Sequence, residues 1–306
     1  MTSLNIQKNI PLAPFTTFKI GGPAKFFVEV KAETELLEAL DFANKNSLEI
    51  FMLGGGSNIL FSDNGFDGLV IRMQENEEDK YWAGNSLAGL VNFFKENSFT
   101  GLEWAMGIPG TIGGAVRGNA GAYGGQMADN LESVRALEIS ADRSNIREYE
   151  KKDCEFGYRD SLFKKNKKII VLSVKLRLEK GEKEAIAEKM REIIAKRTAV
   201  LPKGFSAGSF FQNPIVSNEG VVARFEKESG AKAKEGKVPA GWLIEGAGFC
   251  GKKIGGVMVS EAHANFIVNT GNGKAQDVVM LSSIIKQKVR HEFSVQLKEE
   301  VVYVGF

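Results

Sequence analysis

The chain has 306 residues, 43% hydrophobic and 25% charged, enough apolar material for roughly two or three domains. Forty basic residues against 38 acidic ones leave a net charge of +2, which argues against nucleic acid or an acidic membrane surface as partner. The opening MTSLNIQKNI lacks the build of a secretory signal, and no apolar run approaches membrane-spanning length. The two cysteines, Cys154 and Cys250, suit a reducing cytosol and leave one disulfide open.

In chain order, Lys25–Val30 reads as a strand. An amphipathic helix follows over 34–46, with Leu36, Leu37, Leu40 and Ala43 on one face and Glu33 or Thr34 serving its first turn. Glu49–Leu53 is a short apolar strand, Asp63-Asn64-Gly65 a turn, and Gly68–Arg72 a further strand. A helix is expected over Ser86–Glu96, and strands over Val134–Ile139 and Ile169–Leu178. Lys180-Gly181-Glu182 marks the best domain boundary. The helix Lys183–Lys196 after it carries a stripe of Ile186, Met190, Ile193 and Ile194. The last third holds short elements, a helix over 276–292 and a closing strand Val301–Val304. This is an α+β pattern, without the regular alternation of a doubly wound sheet.

Two glycine-rich tracts interrupt the first half: GGGSNIL, Gly54–Leu60, and GIPGTIGGAVRGNAGAYGG, Gly107–Gly125. Glycine leaves backbone N–H groups uncovered and permits positive φ, so such tracts can close on an anion. Two of them suggest two walls of a site sized for a dinucleotide-like cofactor. The first runs strand, loop, strand, and the third glycine of a G-x-G-x-x-G fingerprint would fall at Ile59, so it is no Rossmann turn. Neither tract is expected to open a helix. Phosphates would bind loop amides and the side chains of Ser57 and Asn58. The bland alternative is a tight turn between strands.

Three other patterns are weaker. Gly204-Phe205-Ser206-Ala207-Gly208 spells G-x-S-x-G, a serine-hydrolase elbow, but its flanks read as loop and not as strand and helix. GAGFCGKK, Gly246–Lys253, falls short of a P-loop, because Lys253 stands where Ser or Thr must hold magnesium. His263, His291 and the cysteines have no ligand spacing, so no metal is expected. Lys164, Lys165, Lys167 and Lys168 read as a solvated turn.

Polar clusters remain at Phe156–Ser161, Ser209–Pro214 and Lys298–Gly305. Singly, each reads as a surface turn with an Arg159–Asp160 ion pair, a core strand with a polar edge, and surface charge. Together with TTFKIGGPA, IPGTIGGAV, NAGAYGG, GYRDS, GSFFQNP, AGWLIEGAG and HANFIVN, in this order, they make nearly the whole chain resemble the UDP-N-acetylenolpyruvoylglucosamine reductases.

The resemblance implies an FAD-binding fold of the vanillyl-alcohol-oxidase type, made of two subdomains, residues 1–72 and 73–180. A C-terminal α+β substrate domain over 181–306 completes it. FAD is the implied cofactor, NADPH the reductant, and a UDP-sugar enolpyruvyl ether the substrate, in a cytoplasmic monomer of peptidoglycan precursor synthesis. By the same resemblance Arg159 and Glu300 stabilise an enolate and Ser209 donates a proton. Gly54, Gly55, Gly56, Ser57 and Asn58 line the cofactor, with Ile108, Pro109, Gly110, Thr111, Gly113, Gly114, Asn119, Gly121, Ala122 and Tyr123. Tyr158, Asn213, Lys252 and His263 line the substrate. Cys250 and Gln212 stand where lysine is common in the family, which bears on the diphosphate contacts. The short stretch between Leu178 and Lys183 implies the shorter subclass, without a tyrosine-bearing lid. A flavin oxidoreductase acting on a sugar lactone and a serine hydrolase at Ser206 are the competing readings.

Overall fold

The computed structural model describes residues 4–140 and 144–306. They form two compact units, and the chain passes between them more than once. The first holds the chain up to Ile10, then Lys25–Gly55 and Asp67–Ala199; the second holds Pro11–Ala24, Gly56–Phe66 and Val200–Phe306.

In the first unit, a four-stranded sheet has the order Gln7–Pro11, Pro23–Val30, Phe66–Met73, Glu49–Leu53. The last two strands are parallel, with Ile50 opposite Leu69 and Met52 opposite Ile71. The helix Glu33–Lys45 links Pro23–Val30 to Glu49–Leu53 and buries Leu36, Ala39, Leu40 and Ala43. Leu37, expected on that face, is exposed: it lies a 100° step away from a stripe at i, i+3, i+4, i+7. A second sheet pairs Leu131–Glu138 antiparallel with both Asn145–Glu150 and Ile169–Leu176. The Asn145–Glu150 strand carries its own alternation, with Tyr149 buried between exposed Glu148 and Glu150. Between the sheets pack the helix Leu87–Glu96, capped by the Ser86 hydroxyl, and a core including Leu69, Trp82, Leu90, Trp104, Ile112, Val134 and Leu172.

The units part at Ala199–Val200 and not at Lys180–Glu182. The helix after Gly181, Lys183–Val200, packs Ile186 and Met190 into the first unit's core, so its apolar face settles which unit it joins. Ile194 falls outside the stripe Ile186, Met190, Ile193 and is exposed.

The second unit has a small antiparallel sheet, Phe205–Ser206, Ile267–Asn269, Val257–Val259, Lys253–Ile254 in that order. Its helices are Glu219–Ser229, Ala240–Gly246 and Ala275–Phe293. The last buries Val278, Leu281, Ile285 and Val289. Its first two free N–H groups, on Ala275 and Gln276, donate to the Asp63 carboxylate at 2.8 and 3.0 Å, a cap supplied from more than 200 residues away in sequence. The closing strand Val302–Val304 runs parallel to Ile59–Phe61. No helix of the described residues is long and apolar enough to cross a membrane.

The weaker motifs resolve plainly. Ser206 lies in a two-residue strand, its carbonyl accepts from the Thr17 hydroxyl, and no helix follows until Glu219, so there is no nucleophile elbow. GAGFCGKK leaves a helix and enters a strand, the reverse of a P-loop. Both cysteines are free, Cys154 buried and Cys250 exposed. The lysine cluster is not simply solvated: Leu162–Lys165 is a helical turn, and Lys164 donates to the Arg159 carbonyl at 2.7 Å.

Candidate functional site

Within the first unit the two glycine tracts touch. A Cβ on Gly54 would lie 2.6 Å from the Thr111 hydroxyl, and one on Gly55 2.6 Å from the Gly110 Cα. Only glycine allows backbones this close. The second tract does open a helix, contrary to expectation. Ile112–Arg117 is a six-residue turn whose cap, Thr111, accepts from the Gly114 N–H at 3.3 Å. Its apolar Ile112, Ala115 and Val116 are buried, which is what holds so glycine-rich a stretch helical. The Gly113 N–H is likewise spent, donating to the Ala83 carbonyl at 2.8 Å. By contrast, nothing among the described residues accepts from the N–H groups of Gly54 and Gly55, nor from Gly56 and Asn58 where the tract enters the second unit.

The second tract ends in a two-residue hairpin, Gly121–Ala122 against Gly125–Gln126. Its tip, Tyr123 and Gly124, has φ of 51° and 86°, the double positive φ of a type I′ turn, and leaves Tyr123 exposed. Asn119, also at positive φ, is buried and acts as a joint. Its Nδ2 donates to Gln126 Oε1 and to the Gly157 carbonyl, both at 2.9 Å, and its Oδ1 accepts from the Ala128 N–H at 3.0 Å. Both amide protons are therefore committed within the unit, so Asn119 shapes the loop and the side chain has no donor left for a cofactor.

Gly157 begins a second tight turn, closed by reciprocal Gly157–Asp160 backbone bonds, with Tyr158 and Arg159 at its tip. Arg159 sits at φ 55°, a left-handed conformation costing a non-glycine residue about 1 kcal/mol or more. Its Nη2 donates to the Gly121 carbonyl at 2.6 Å, and its guanidinium lies 5.4 Å from the half-exposed Tyr158 ring. Two more cations flank the tract and escaped the sequence reading. Burial lowers the Arg117 guanidinium's hold on its proton, with Asp160 nearby opposing the shift. Arg197 lies against Gly107, and its Nε is buried without a hydrogen-bond partner among the described residues. Arg197 sits on a helix amid ordinary charged residues, and Arg117 ends the short helix inside the glycine tract, where its role depends on burial that no local pattern shows.

The second unit brings three expected residues together. Phe210 and Phe211 are buried, and the chain from Ser209 runs antiparallel to Lys298–Glu300. The Glu300 N–H donates to the Phe210 carbonyl at 2.8 Å and the Gln212 N–H to the Lys298 carbonyl at 2.9 Å. Asn58 Nδ2 donates to the Glu300 carbonyl at 3.1 Å, and the Val302 N–H returns a bond to Asn58 at 3.0 Å. Asn58, Ser209 and Glu300 thus share one cluster, although they are far apart in sequence. Glu299 is tied away from it by Lys286 at 2.8 Å. Asn213 Oδ1 accepts from the Ala240 N–H at 2.9 Å, at the start of the helix Ala240–Gly246. His263 is partly buried, which holds its imidazole below the usual value, and it packs edge-on to Phe266 with centroids 4.8 Å apart. Lys252 is exposed, just before the strand Lys253–Ile254.

Comparison with known proteins separates the two halves in the same way. A family model described as FAD binding domain matches residues 24–140, and one described as UDP-N-acetylenolpyruvoylglucosamine reductase, C-terminal domain, matches 201–304. The first of these defines the N-terminal half as a flavin-binding scaffold, the class that the paired glycine tracts suggested. Reductases of that name from Solibacter usitatus and Carboxydothermus hydrogenoformans are 35% and 38% identical over 99% and 98% of this chain, and over 98% and 94% of their own lengths. The crystal structure of UDP-N-acetylenolpyruvylglucosamine reductase (MurB) from Thermus caldophilus superposes with a TM-score of 0.78 at 32% identity, covering 98% of this chain and 99% of that one. The chain belongs to the UDP-N-acetylenolpyruvoylglucosamine reductase family. The residues present fit a flavin nucleotide: the backbone N–H groups of Gly54 and Gly55 meet no acceptor among the described residues and are donors of the kind a dinucleotide diphosphate takes.

Proposed function

We propose that the chain reduces UDP-N-acetylglucosamine enolpyruvate to UDP-N-acetylmuramate, with FAD as its bound cofactor and NADPH as reductant, in cytoplasmic peptidoglycan precursor synthesis. The observation that carries this reading is the clustering of Ser209 and Glu300 on paired backbone, the residues that the resemblance assigns to proton transfer and enolate stabilisation. Bound FAD supplies the hydride chemistry, accepting from NADPH and donating to the enolpyruvyl group.

The protein's part is position, charge and a proton. Hydride addition at the terminal carbon of the enolpyruvyl double bond leaves negative charge on the neighbouring carbon and its carboxylate. Arg159, fixed by its left-handed backbone and by Gly121, supplies the cation for that developing charge. Glu300 assists as a protonated or hydrogen-bonding group. Ser209 then gives its hydroxyl proton to the carboxylate-bearing carbon, which completes the addition of one hydride and one proton across the double bond. A serine hydroxyl is a weak acid, so this works through placement against a strongly basic intermediate. Tyr158, Asn213, Lys252 and His263 take the sugar nucleotide, and exposed Lys252 is suited to its diphosphate.

The test is the visible spectrum of the FAD-loaded protein under anaerobic conditions. Bleaching by NADPH and recovery only on adding the enolpyruvyl sugar nucleotide supports the reading. Recovery with a sugar lactone and not with that substrate would replace it with the lactone oxidoreductase. Ser209→Ala is expected to leave bleaching intact and slow recovery by roughly 10² to 10⁴-fold, as for loss of a general acid.

A further inference from the structure

Phe210 and Phe211 are buried, so the polar backbone groups between them need partners. One side is served by Lys298–Glu300, as described. Among the described residues the other side has no strand. In its place stands one buried side chain, Asn265. The Phe210 N–H donates to the Asn265 carbonyl at 2.7 Å. The Phe211 N–H donates to Asn265 Oδ1 at 2.9 Å, and Asn265 Nδ2 returns a bond to the Phe211 carbonyl at 2.8 Å. The amide of Asn265 thus acts as a one-residue strand, which requires a donor and an acceptor on a short planar group. Aspartate lacks the donor, alanine lacks both, and glutamine is a methylene too long for the space.

The same residue orients a second group. The Asn265 N–H donates to His263 Nδ1 at 3.2 Å. An Nδ1 that accepts cannot carry the ring proton, so the imidazole is the Nε2–H tautomer and presents a donor at its far edge. Burial favours the neutral ring as well. The His263 main-chain N–H is itself held by the Ser260 hydroxyl at 3.3 Å, which fixes the loop from the other end.

We propose that Asn265 is a positioning residue for the reaction, holding the backbone that carries Ser209 and the Nε2–H tautomer of His263 from a single anchor. The inference rests on the reading of Ser209 as proton donor. A purely structural asparagine would affect both half-reactions alike through stability. A positioning asparagine affects only the step that uses the proton.

Anaerobic stopped-flow on the full-length, FAD-loaded protein tests this, using Asn265→Ala and the isosteric Asn265→Asp, with Ser209→Ala in parallel and the Ser209→Ala/Asn265→Ala double variant. Both Asn265 variants are expected to keep NADPH-driven bleaching and to slow substrate-driven recovery by about 10²-fold, the cost of misplacing a reacting group by around 1 Å. With the sugar nucleotide saturating, so that the His263 contact does not limit recovery, the Asn265 substitution should add little in the Ser209→Ala background. Recovery at the wild-type rate, equal slowing of both half-reactions, or additive losses would each overturn the proposal. Slow recovery in Ser209→Ala with normal recovery in both Asn265 variants would remove the positioning role alone, whereas normal recovery in Ser209→Ala would remove the donor reading beneath it. Should neither Asn265 variant fold, ¹⁵N NMR of the wild-type protein decides: a protonated Nδ1 on His263, or an unprotonated Nδ1 that accepts no hydrogen bond, would refute the anchor, and an unprotonated Nδ1 coupled to the Asn265 N–H would uphold it.

Discussion

Replacing Gly55 by alanine forces a methyl group into the contact between the two glycine tracts. The new Cβ would lie 2.6 Å from the Gly110 Cα, with the Gly110 carbonyl carbon and nitrogen at 3.3 and 3.4 Å. Ordinary contact begins near 3.4 Å, so the tracts must separate by about 0.8 Å. The neighbour is backbone and cannot rotate away as a side chain would. It is also held from behind, because the Gly110 carbonyl accepts from the Leu87 N–H at 3.0 Å, at the start of a packed helix. Overpacking of this kind costs about 1–3 kcal/mol, enough to change the unfolding equilibrium roughly five-fold or more. Urea unfolding of the apoprotein followed by tryptophan fluorescence measures it. Trp82 and Trp104 belong to the first unit and Trp242 to the second, so a Trp242→Phe background makes the emission report the affected unit. Gly124→Ala is the control: its Cβ meets nothing within 4 Å, and only its φ of 86° opposes the change. An unshifted midpoint for Gly55→Ala, with a weakened Gly124→Ala, would show that tract contact does not constrain this position.

Three more expectations come from the same geometry. Asn119→Asp removes the donors to Gly157 and Gln126 while keeping the acceptor for Ala128; it should destabilise by about 1–3 kcal/mol and raise KM for the enolpyruvyl substrate through release of the Arg159 turn, and steady-state kinetics with unchanged KM would refute the link. Burial alone would raise the Glu103 carboxyl, but bonds from the Thr100 hydroxyl and the Gly101 N–H, with Lys189 nearby, hold it below its ordinary value. A carboxylate whose folded value is depressed stabilises fully above its unfolded value and loses this as pH falls through the folded one. The Tm gap between wild type and Glu103→Gln should therefore close toward acid pH, and a gap constant with pH would contradict it. Burial pushes the Cys154 thiol up to about 12, with Asp153 adding to the shift, whereas Cys250 is exposed. A thiol reagent should titrate one cysteine in the native protein and both after unfolding, and rapid reaction of two native thiols would disprove the burial.

Much of the local structure was legible because its signals act over a few residues. The helices Glu33–Lys45, Lys183–Val200 and Ala275–Phe293 follow from a 3.6-residue apolar period, and Glu49–Leu53 from a short apolar run closed by glycine. Their errors have the same origin. Leu37 and Ile194 are apolar and nearly in phase, and only packing decided which side of each stripe met the core. The helix in the second tract was missed because glycine argues against helix locally, whereas burial of Ile112, Ala115 and Val116 supplies the stabilisation from outside.

The residues of the candidate site were named from motifs, yet nothing in the sequence pattern says which of them meet. By itself the sequence determined the α+β elements, the glycine tracts and the residue types at Arg159, Ser209 and Glu300. Tertiary structure decided that 11–24 and 56–66 join the C-terminal unit, and that Asp63 caps a helix beginning at Ala275. It decided too that Asn265 stands in for a strand beside Ser209, and that Asn119 is spent on the fold. Helix periods and turns depend on the torsions and side-chain spacing of adjacent residues, and so are written locally. Backbone bonds between segments 50 to 250 residues apart form only where buried polar groups must find partners. Which partner is within reach depends on how the intervening chain has packed.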